Sequence, residues 1–510
     1  MNLIRDKWIP IRRKNGEKDI IAPWEIGMCD NPVVEIETPR PDFRGALYQF
    51  MIGLLQTSFA PKDDDEWKER WEEIPENEII HNAFKITEEA FEFNNDSKIC
   101  FLQDTTIPKD SEKIPICSLL IDAPSENRDL FVKMNTVNHL CKPCSAQALF
   151  TLQINSPEGG RGHYTGMRGG GPMTTLVKLQ NPQSLLWNKL WINVLANDEI
   201  IFNNKNSATD IFPWLTSIPA SEVFPKDVSP LHMFWAMPRR IKILSNNEYA
   251  KCDICGKESI INKEFIRAPN GWKYSSTWLH VLSPYRSKKE PDGMINMLSI
   301  KGKQGGFAYP DWFGLTITES AAKVIKSYFE KKIYKIRNNE STVLWCFGYH
   351  MVKMNAKCWY EHSLPLIIIK PEVKEQFINC VGKMINAARE SSKLLRQQVI
   401  AAWFIETANA KGDFSFIEAT LWENTEQEFY DLVNKIKLVL ENKETLSAIY
   451  KEWVQILKDC IENLFDRFAL NSPEEITDMK RVTKAAENLG VYFNKNEAIR
   501  ELKALAKEDE

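Results

Sequence analysis

Long hydrophobic runs are missing from this chain of 510 residues. No stretch of roughly 18 consecutive apolar residues occurs, so we predict that no segment spans a membrane. The opening segment turns polar at Arg5 and lacks the apolar core of a secretory signal peptide. With 43% hydrophobic and 26% charged residues, the composition is typical of a globular protein. We therefore expect a cytoplasmic protein that is long enough for two or more hydrophobic cores.

An excess of one charge is also missing, since the formal net charge is −4. A chain without a strong basic field is expected to contact nucleic acid only through a local patch. The 11 cysteines are an odd number in a chain without a secretion signal, which argues against a disulfide framework. Cysteines that stand outside close pairs are interpreted as small buried apolar residues.

Common catalytic motifs are absent as well. The sequence contains no GxxxxGKS or GxxxxGKT phosphate loop, no HExxH metalloprotease motif and no GxSxG nucleophile elbow. The glycines that follow Gly159 have the wrong spacing for a dinucleotide fingerprint, and the 7 histidines are scattered without an evident partner. These absences indicate that the protein is not an enzyme.

Two CxxC pairs are present, Cys141 with Cys144 and Cys252 with Cys255. This spacing places paired thiolates on a tetrahedral zinc ion, and four thiolates would leave no open position for catalysis. Closing the long loop between the pairs costs about 4–5 kcal/mol. Structural zinc contributes roughly 10–16 kcal/mol, so the separation is no obstacle. A redox CxxC and simple buried thiols remain as alternatives.

Glycine is concentrated in one place, because 7 of the 22 glycines lie between Gly159 and Gly171. The missing side chains would let a ligand approach the backbone closely, and Arg161 and Arg168 would supply positive charge to a nucleic acid. A flexible loop that leads into a strand explains the same pattern. Basic and aromatic residues alternate irregularly over 267–289, which favours nucleic acid only slightly over a half-exposed sheet.

The N-terminal part of the chain mixes strand and helix signals. Asn15-Gly16 between apolar segments predicts a β-hairpin. A helix is expected to start with Asp42 as its N-cap and to continue to about Phe59, because apolar residues recur there at helical spacing. The residues from Met173 to Leu179 have the pattern of a strand that leaves the glycine-rich segment.

The C-terminal part differs from the N-terminal part in its glycine content and in its apolar periodicity. Glycine nearly disappears, and apolar residues keep i, i+3, i+4, i+7 spacing from Leu446 to Phe468. With further helices expected near 372–404 and 424–441, the pattern predicts a helical bundle. A last helix is expected to end near Leu489-Gly490, where glycine could form an αL cap.

The change of texture defines two predicted domains with a boundary near residue 370. We predict an α+β fold, with a large mixed α/β domain that holds the structural zinc site at residues 1–370. The helical bundle occupies residues 371–510. This division is based on local periodicity and glycine content alone.

Four short motifs carry a resemblance to a known family. The most specific is Gly166-Met167-Arg168-Gly169-Gly170-Gly171-Pro172-Met173-Thr174-Thr175, which follows the first cysteine pair. The others are Trp8-Ile9-Pro10, Arg40-Pro41-Asp42-Phe43, and Gly348-Tyr349 leading to Asn355-Ala356. In these motifs the chain resembles the large subunit (CasA) family of the type I-E CRISPR surveillance complex, Cascade. The resemblance extends over essentially the whole chain.

The resemblance implies a mixed N-terminal domain followed by a four-helix bundle, and a role without catalysis. Members of this family lie near the 5′ end of the guide RNA, read the protospacer-adjacent motif (PAM) of duplex DNA and start strand separation. Guide pairing then reads the remaining sequence. The implied partners are the other Cascade subunits, the guide RNA, the target duplex DNA and a helicase–nuclease that is recruited after binding.

The resemblance also assigns site residues in short segments. Those implied in DNA binding are the glycine loop of Gly159, Gly160, Arg161 and Gly162, a basic contact at Lys288 or Lys289, and a wedge formed by Lys353, Met354, Asn355 and Ala356. Small residues in such a loop would allow approach to the minor groove. The segment implied in guide-RNA contact is Phe131, Val132 and Lys133. A zinc-stabilised nucleic-acid-binding scaffold outside CRISPR defence and a CxxC thiol oxidoreductase are the alternative functions.

Overall fold

The fold is described from a computed structural model. The structure describes residues 1–93, 98–123, 136–245, 247–289, 293, 295–302, 307–336, 341–352, 355–407, 410–470 and 478–507. The chain forms two compact units, Met1–Gly302 with Ser320–Pro365 and Lys303–Glu319 with Leu366–Glu510. None of the helices in the described ranges is both long enough and apolar enough to cross a membrane.

The strands form several small sheets in the first unit. They are β1 Ile9–Arg13, β2 Lys18–Ile21, β3 Val33–Ile36, β4 Lys113–Pro115, β5 Leu140–Cys141, β6 Thr174–Leu179, β7 Arg240–Ile243, β8 Tyr249–Lys251, β9 Glu258–Asn262, β10 Glu264–Ala268, β11 Tyr285–Lys289, β12 Ile295–Ser299, β13 Thr342–Val352 and β14 Asn355–Pro365. Their orders are β2-β1-β3, β4-β10-β7, β5-β9-β8, β11-β12 and β14-β13-β6. The expected strand after the glycine-rich segment is confirmed as β6.

The α-helices are distributed over both units. They are α1 Pro41–Ser58, α2 Asp64–Glu72, α3 Asn77–Phe84, α4 Lys142–Asn155, α5 Leu186–Trp191, α6 Ala208–Ile211, α7 Tyr309–Thr316, α8 Lys323–Glu330, α9 Lys374–Trp403, α10 Ser415–Asn442, α11 Ser447–Phe465, α12 Met479–Lys495 and α13 Glu497–Leu505. The mixed α+β class with helices at the C-terminus agrees with the prediction.

Helix α1 forms the centre of the first unit, because its residues are buried on almost every side. The ring of Phe50 is surrounded by edge-on aromatic rings that come from distant parts of the chain, namely those of Trp8, Phe91, Phe101, Phe150 and Trp235. Such edge-to-face pairs add to the free energy of burying the rings. The aromatic residues of this unit therefore build a core around α1.

Two predictions for the N-terminal elements have different outcomes. The hairpin is confirmed, since β1 pairs antiparallel with β2 and Gly16 adopts a φ of +91° in the turn. Asp42 as an N-cap is wrong, because Arg40 takes the cap position and Asp42 lies inside the first turn. The Asp42 carboxylate instead accepts hydrogen bonds from the Arg40 guanidinium and from the hydroxyl of Tyr349.

The second unit consists of helices that pack around α9. This helix contacts α10, α11, α12 and α13. The indole Nε1 of Trp453 on α11 donates a hydrogen bond to the carbonyl of Met384 on α9, at 3.0 Å. The expected helix end at Leu489-Gly490 is wrong, since α12 continues to Lys495. Leu489 and Phe493 are both buried on the same helix face, so packing extends the helix through Gly490.

The second unit also includes residues 303–319, a stretch that the sequence analysis placed in the N-terminal domain. The physical reason is aromatic packing by Tyr309 of α7. Its ring stacks on Phe429 at a centroid distance of 4.1 Å, and its hydroxyl lies 2.9 Å from Oγ1 of Thr425. A single apolar helix of this length gives no sequence signal for which core it joins.

Candidate metal centre and nucleic-acid interface

The first cysteine pair lies where β5 ends and α4 begins. Cys141 is the N-cap of α4, and its sulfur accepts the backbone N–H of Cys144 at 3.5 Å. Both sulfurs therefore lie at the N-terminus of a helix.

The second pair lies in the turn between β8 and β9. The N–H of Cys252 donates to the carbonyl of Lys257, and the N–H of Gly256 donates to the carbonyl of Cys252, each at 2.9 Å. Gly256 adopts a φ of +74°, a conformation that favours glycine, so this turn needs the glycine that follows Cys255.

Pairing of β5 with β9 brings the two halves together, and the four sulfurs lie within 4.8 Å of one another. The sulfurs of Cys141 and Cys255 are 3.6 Å apart. A tetrahedral zinc with Zn–S bonds of about 2.3 Å requires sulfur separations of about 3.8 Å. The cysteine cluster therefore fits the predicted ligand set of Cys141, Cys144, Cys252 and Cys255.

The electrostatics of the cysteine cluster favour a bound cation. A hydrogen bond with Cys144 is the largest cause that lowers the pKa of the Cys255 thiol, to about 6. The hydrogen bond with Cys141 is the largest cause that raises the pKa of Cys144. Buried thiols that divide their protons in this way leave negative charge in a place with little water, which a divalent cation would offset.

A carboxylate beside the cluster connects its two halves. Asp253 accepts the backbone N–H groups of Asn138 and His139 at 2.7 and 2.8 Å. Its own N–H donates to the carbonyl of His139 at 2.9 Å. Hydrogen bonds to a nearby carboxylate are a usual means by which a protein fixes the groups around a metal.

The glycine loop, Gly159 to Gly162, contains glycines with two different roles. A Cβ atom added to Gly159 would lie 2.2 Å from Nη1 of Arg239, and one added to Gly162 would lie 2.6 Å from Cβ of Pro269. Gly160 has a φ of +89°, and a Cβ there would meet no described atom within 4 Å. Gly159 and Gly162 thus make room for the protein itself, whereas Gly160 faces open space beside exposed Arg161.

The second group of glycines, Gly166 to Gly171, is packed inside the first unit. The N–H groups of Gly166 and Gly171 donate to the carbonyls of Ser156 and Asn155 at the end of α4. A Cβ at Gly171 would lie 2.7 Å from the carbonyl oxygen of Tyr349. This segment, which carries the most specific family motif, is therefore a structural connection.

Arg168 does not have the role that the sequence analysis gave it. The side chain is buried, with 5% of its surface exposed. Its guanidinium donates to neutral oxygens of Gln49, Thr174 and Ser283 at 2.7, 3.1 and 3.0 Å. The expectation that it supplies charge to a nucleic acid is wrong, because the packed second glycine group encloses it.

Lys288 and Lys289 lie on the exposed β11–β12 hairpin. They pair with Asn296 and Ile295 in the antiparallel register. The base of this hairpin is held by the packed glycine segment, since the hydroxyl of Ser299 donates to the carbonyl of Arg168 at 2.5 Å. The hairpin therefore presents its basic strand to solvent from a fixed base.

The other predicted contacts are only partly within the described residues. Asn355 and Ala356 begin β14, half-buried, and pair with Val352 and Met351 of β13. Lys353 and Met354 lie outside the described residues, as do Phe131, Val132 and Lys133.

A cavity of about 490 Å³ joins two of the predicted DNA-binding segments. Gly159 lines it on one side, and Asn355 and Ala356 line it on another. Its basic lining residues, none of which sequence analysis assigned as a contact, are Lys113, Arg239, Arg240, Arg267 and Lys357. Lys288 and Lys289 are not among its lining residues.

The charges of these residues raise the local potential. Burial, and then the positive charges of Arg267 and Arg239, lower the pKa of His163, which also lines the cavity. Part of this basic lining is visible in the sequence, since Arg239-Arg240 leads into strand β7 and Arg267 lies within strand β10. Only the pairing of those strands places them at one cavity.

Comparison with known proteins identifies the family of this chain. Residues 2–464 match the family model described as CRISPR-associated protein Cse1. The chain belongs to the Cse1 family. The resemblance to the CasA family is thereby confirmed, since CasA and Cse1 are two names of the same protein in a solved relative.

Solved Cse1 structures share the fold at low sequence identity. Thermus thermophilus CasA (Cse1) is 13% identical, with a TM-score of 0.66 over 97% of this chain and 99% of that chain. Thermobifida fusca Cse1 is 13% identical, with a TM-score of 0.69 over 99% of each chain. A chain from a structure described as a CRISPR RNA-guided surveillance complex is 11% identical, with a TM-score of 0.65 over 97% of this chain and 99% of that chain.

Proposed function

We propose that the protein is the PAM-reading large subunit of a CRISPR RNA-guided surveillance complex of type I-E, and that it has no catalytic activity of its own. The observation that carries this proposal is that Gly159, Asn355 and Ala356 line the same cavity. Two segments that the resemblance assigns to DNA thus lie at one basic site in a Cse1-family chain. In this proposal residues 1–370, apart from residues 303–319 of the second unit, read the PAM, and residues 371–510 form the C-terminal bundle.

Each element has a separate role in DNA recognition. Gly160, at the open tip of the glycine loop, approaches the minor groove, with Arg161 beside it for phosphate contact. Lys288 or Lys289 on the β11–β12 hairpin supplies the basic contact. Lys353, Met354, Asn355 and Ala356 form the wedge that parts the first base pair. Pairing with the guide RNA then reads the target sequence.

The remaining partners follow from the same assignment. Phe131, Val132 and Lys133 contact the 5′ end of the guide RNA, and other Cascade subunits complete the complex. A helicase–nuclease is recruited after DNA binding and cuts the DNA. The protein acts in the cytoplasm, where guide RNA and invading DNA meet.

Zinc is the cofactor in this proposal, held by Cys141, Cys144, Cys252 and Cys255. Bound zinc supplies structural cross-linking and no reaction chemistry, because four thiolates fill its coordination sphere. The cysteine cluster holds the N-terminus of α4, and the opposite end of that helix accepts the N–H groups of the second glycine group. The metal site therefore determines where the glycine-rich segment lies.

A thiol oxidoreductase is a weaker candidate. A redox cysteine needs an accessible thiolate, and Cys141, Cys144 and Cys252 are buried. The convergence of both CxxC pairs on one point also favours a metal over two separate redox motifs. Family membership favours CRISPR defence over a scaffold with another function.

The test measures how the reconstituted complex, loaded with guide RNA, binds duplexes that carry a randomised PAM. Replacing Asn355 and Ala356 by glutamate places negative charge beside the DNA, so we expect PAM-selective binding to be lost while assembly survives. Ser363→Glu, at an exposed position of the same strand, is the matched control. Equal PAM selection by the wedge variant and the control would show that the assignment is wrong.

A further inference from the structure

Arg239 lies at the base of the cavity with its hydrogen-bonding capacity incompletely used. Only 9% of its surface is exposed. One terminal nitrogen, Nη2, donates to the carbonyl of Pro157. The Nε–H group has no hydrogen-bond partner among the described residues. A buried guanidinium in this state costs free energy unless an acceptor satisfies it.

The backbone of Arg239 is held by the side chain of Gln153, which fixes the point from which the arginine side chain extends. Its N–H donates to Oε1 of Gln153 at 3.0 Å, and its carbonyl accepts from Nε2 of the same side chain at 2.9 Å. The guanidinium also lies directly under Gly159, whose missing Cβ provides the necessary space. The glycine loop is thus built over a charged group.

Among the residues that the structure describes, no carboxylate forms an ion pair with this guanidinium. Burial, and then the positive charge of Arg267, lower the pKa of Arg239 to about 10, while Glu158 acts in the opposite direction. Three other charged residues of the lining have ion-pair partners. Arg240 pairs with Asp104 at 2.6 Å, Lys113 pairs with Glu264 at 3.4 Å and Asp122 pairs with Arg40 at 2.7 Å.

We infer that this cavity binds one phosphodiester group of the target DNA, with Arg239 and Arg267 as the donors. The inference rests on the proposed function, in which Gly159 and Asn355 face DNA. A planar guanidinium matches phosphate oxygens in a bidentate geometry, and a second arginine neutralises the remaining charge. The volume of about 490 Å³ falls within the usual range of ligand sites.

A phosphate bound in this cavity would hold the DNA next to the proposed wedge. We call this phosphate site the anchor. A phosphate held between the glycine loop and the start of β14 fixes one DNA strand at the place where base pairs part. Phosphate contacts of this kind determine position and carry no sequence information. The anchor is therefore expected to act equally on duplexes with and without a PAM.

The test uses the guide-loaded complex and short duplexes without complementarity to the guide, so that only initial duplex binding is measured. Arg267 is exposed, and Arg267→Gln removes one donor without disturbing the core. We expect affinity to fall about tenfold for duplexes with and without a PAM. The slope of log affinity against log salt should decrease in magnitude by about 1.

Lys68→Gln, an exposed lysine on α2, is the matched control and should leave the slope unchanged. Arg239→Lys keeps the buried charge but loses the planar fork, so it should weaken binding while the complex still assembles. An unchanged slope for Arg267→Gln would overturn the inference.

Neutral methylphosphonate linkages locate the contact on the DNA. In the parent complex, a methylphosphonate at one linkage near the PAM should weaken DNA binding about tenfold. In the Arg267→Gln complex, the methylphosphonate at that linkage alone should no longer weaken binding. Weakened assembly on guide RNA by Arg267→Gln, with DNA binding unchanged, would identify the ligand as RNA and overturn the inference.

The phosphate site and the proposed PAM reading fail in different ways. Gly160→Leu should change PAM selection at a constant salt slope, whereas Arg267→Gln should change the slope at constant PAM selection. Loss of the first effect alone contradicts PAM reading by the glycine loop, and loss of the second alone contradicts the phosphate site.

Discussion

The two groups of glycines in this chain are close in sequence but differ in what they approach. Gly160 has open space where its side chain would be, while a Cβ at Gly171 would lie 2.7 Å from the Tyr349 carbonyl oxygen. Both have positive φ values, +89° and +59°. Glycine therefore marks a place where the backbone has a close neighbour or an unusual conformation, without telling whether that neighbour is a ligand or the protein itself.

The comparison extends to the arginines beside these glycines. Arg161 is exposed next to the open Gly160, whereas Arg168 is buried among neutral oxygens. The most recognisable motif of the family thus lies in the packed group. Its role is to join α4 to the hairpins that carry the proposed DNA contacts.

The largest expected effect comes from the cysteine cluster, the proposed zinc site, which holds the helix whose end contacts the second glycine group. Cys252→Ser should destabilise the protein by on the order of 5 kcal/mol, because it removes one of four proposed zinc ligands. We expect one zinc per parent chain by elemental analysis and a large loss of thermal stability in the variant. Cys29→Ser, outside the cysteine cluster, is the control. A parent protein that contains no zinc but retains its stability would contradict the zinc assignment.

Gly171→Ala should cost about 2–4 kcal/mol, the next effect in size. The new Cβ would collide with backbone at a positive φ, where the surroundings cannot adjust cheaply. Denaturant unfolding measures the loss. Gly382→Ala on α9, where a Cβ meets no described atom within 4 Å, should be neutral or slightly stabilising. Equal stability of the two variants would mean that the second glycine group is not packed as described.

Substitutions of Arg168 and Arg161 are expected to have different effects, the first on stability and the second on DNA binding. Arg168→Gln should lower the free energy of unfolding by about 2 kcal/mol, because it removes hydrogen bonds inside the core. Arg161→Gln should leave stability within about 0.5 kcal/mol and reduce the salt dependence of DNA binding. Chemical denaturation and salt titrations of both variants provide the measurement. A reversed result would exchange the roles of the two arginines.

The fold was largely predictable where the signal is local. The Asn15-Gly16 turn, the periodicity of α1 and of α11, and the CxxC spacing each depend on neighbouring residues. The convergence of the cysteines was also predictable, because a tetrahedral ligand set requires both pairs.

The rest depends on contacts between distant segments. Tyr309 joins the second unit through Phe429, and Gly490 stays helical because Leu489 and Phe493 are buried. The burial of Arg239 under Gly159 depends on how β7 and the glycine loop meet. No local pattern specifies such partners, so sequence analysis missed the charged base of the cavity.

The smallest effect on stability is expected on the exposed hairpin. Replacing Lys288 and Lys289 together by glutamine should change the free energy of unfolding by less than about 0.5 kcal/mol. The salt slope for duplex binding should fall by about 1 for each lysine that contacts a phosphate. Binding titrations at several salt concentrations measure how many of the two lysines contact a phosphate. No change in slope would remove the hairpin from the proposed interface.

In the proposed function Gly160 is open because DNA approaches it, and Gly16 provides a matched comparison. Both glycines have φ values near +90°, and a Cβ on either would meet no described atom within 4 Å. Leucine at either position should therefore cost a similar 1–2 kcal/mol of stability. We predict that Gly160→Leu abolishes PAM selection by the guide-loaded complex while Gly16→Leu preserves it. Equal PAM selection by the two variants would show that DNA does not approach Gly160.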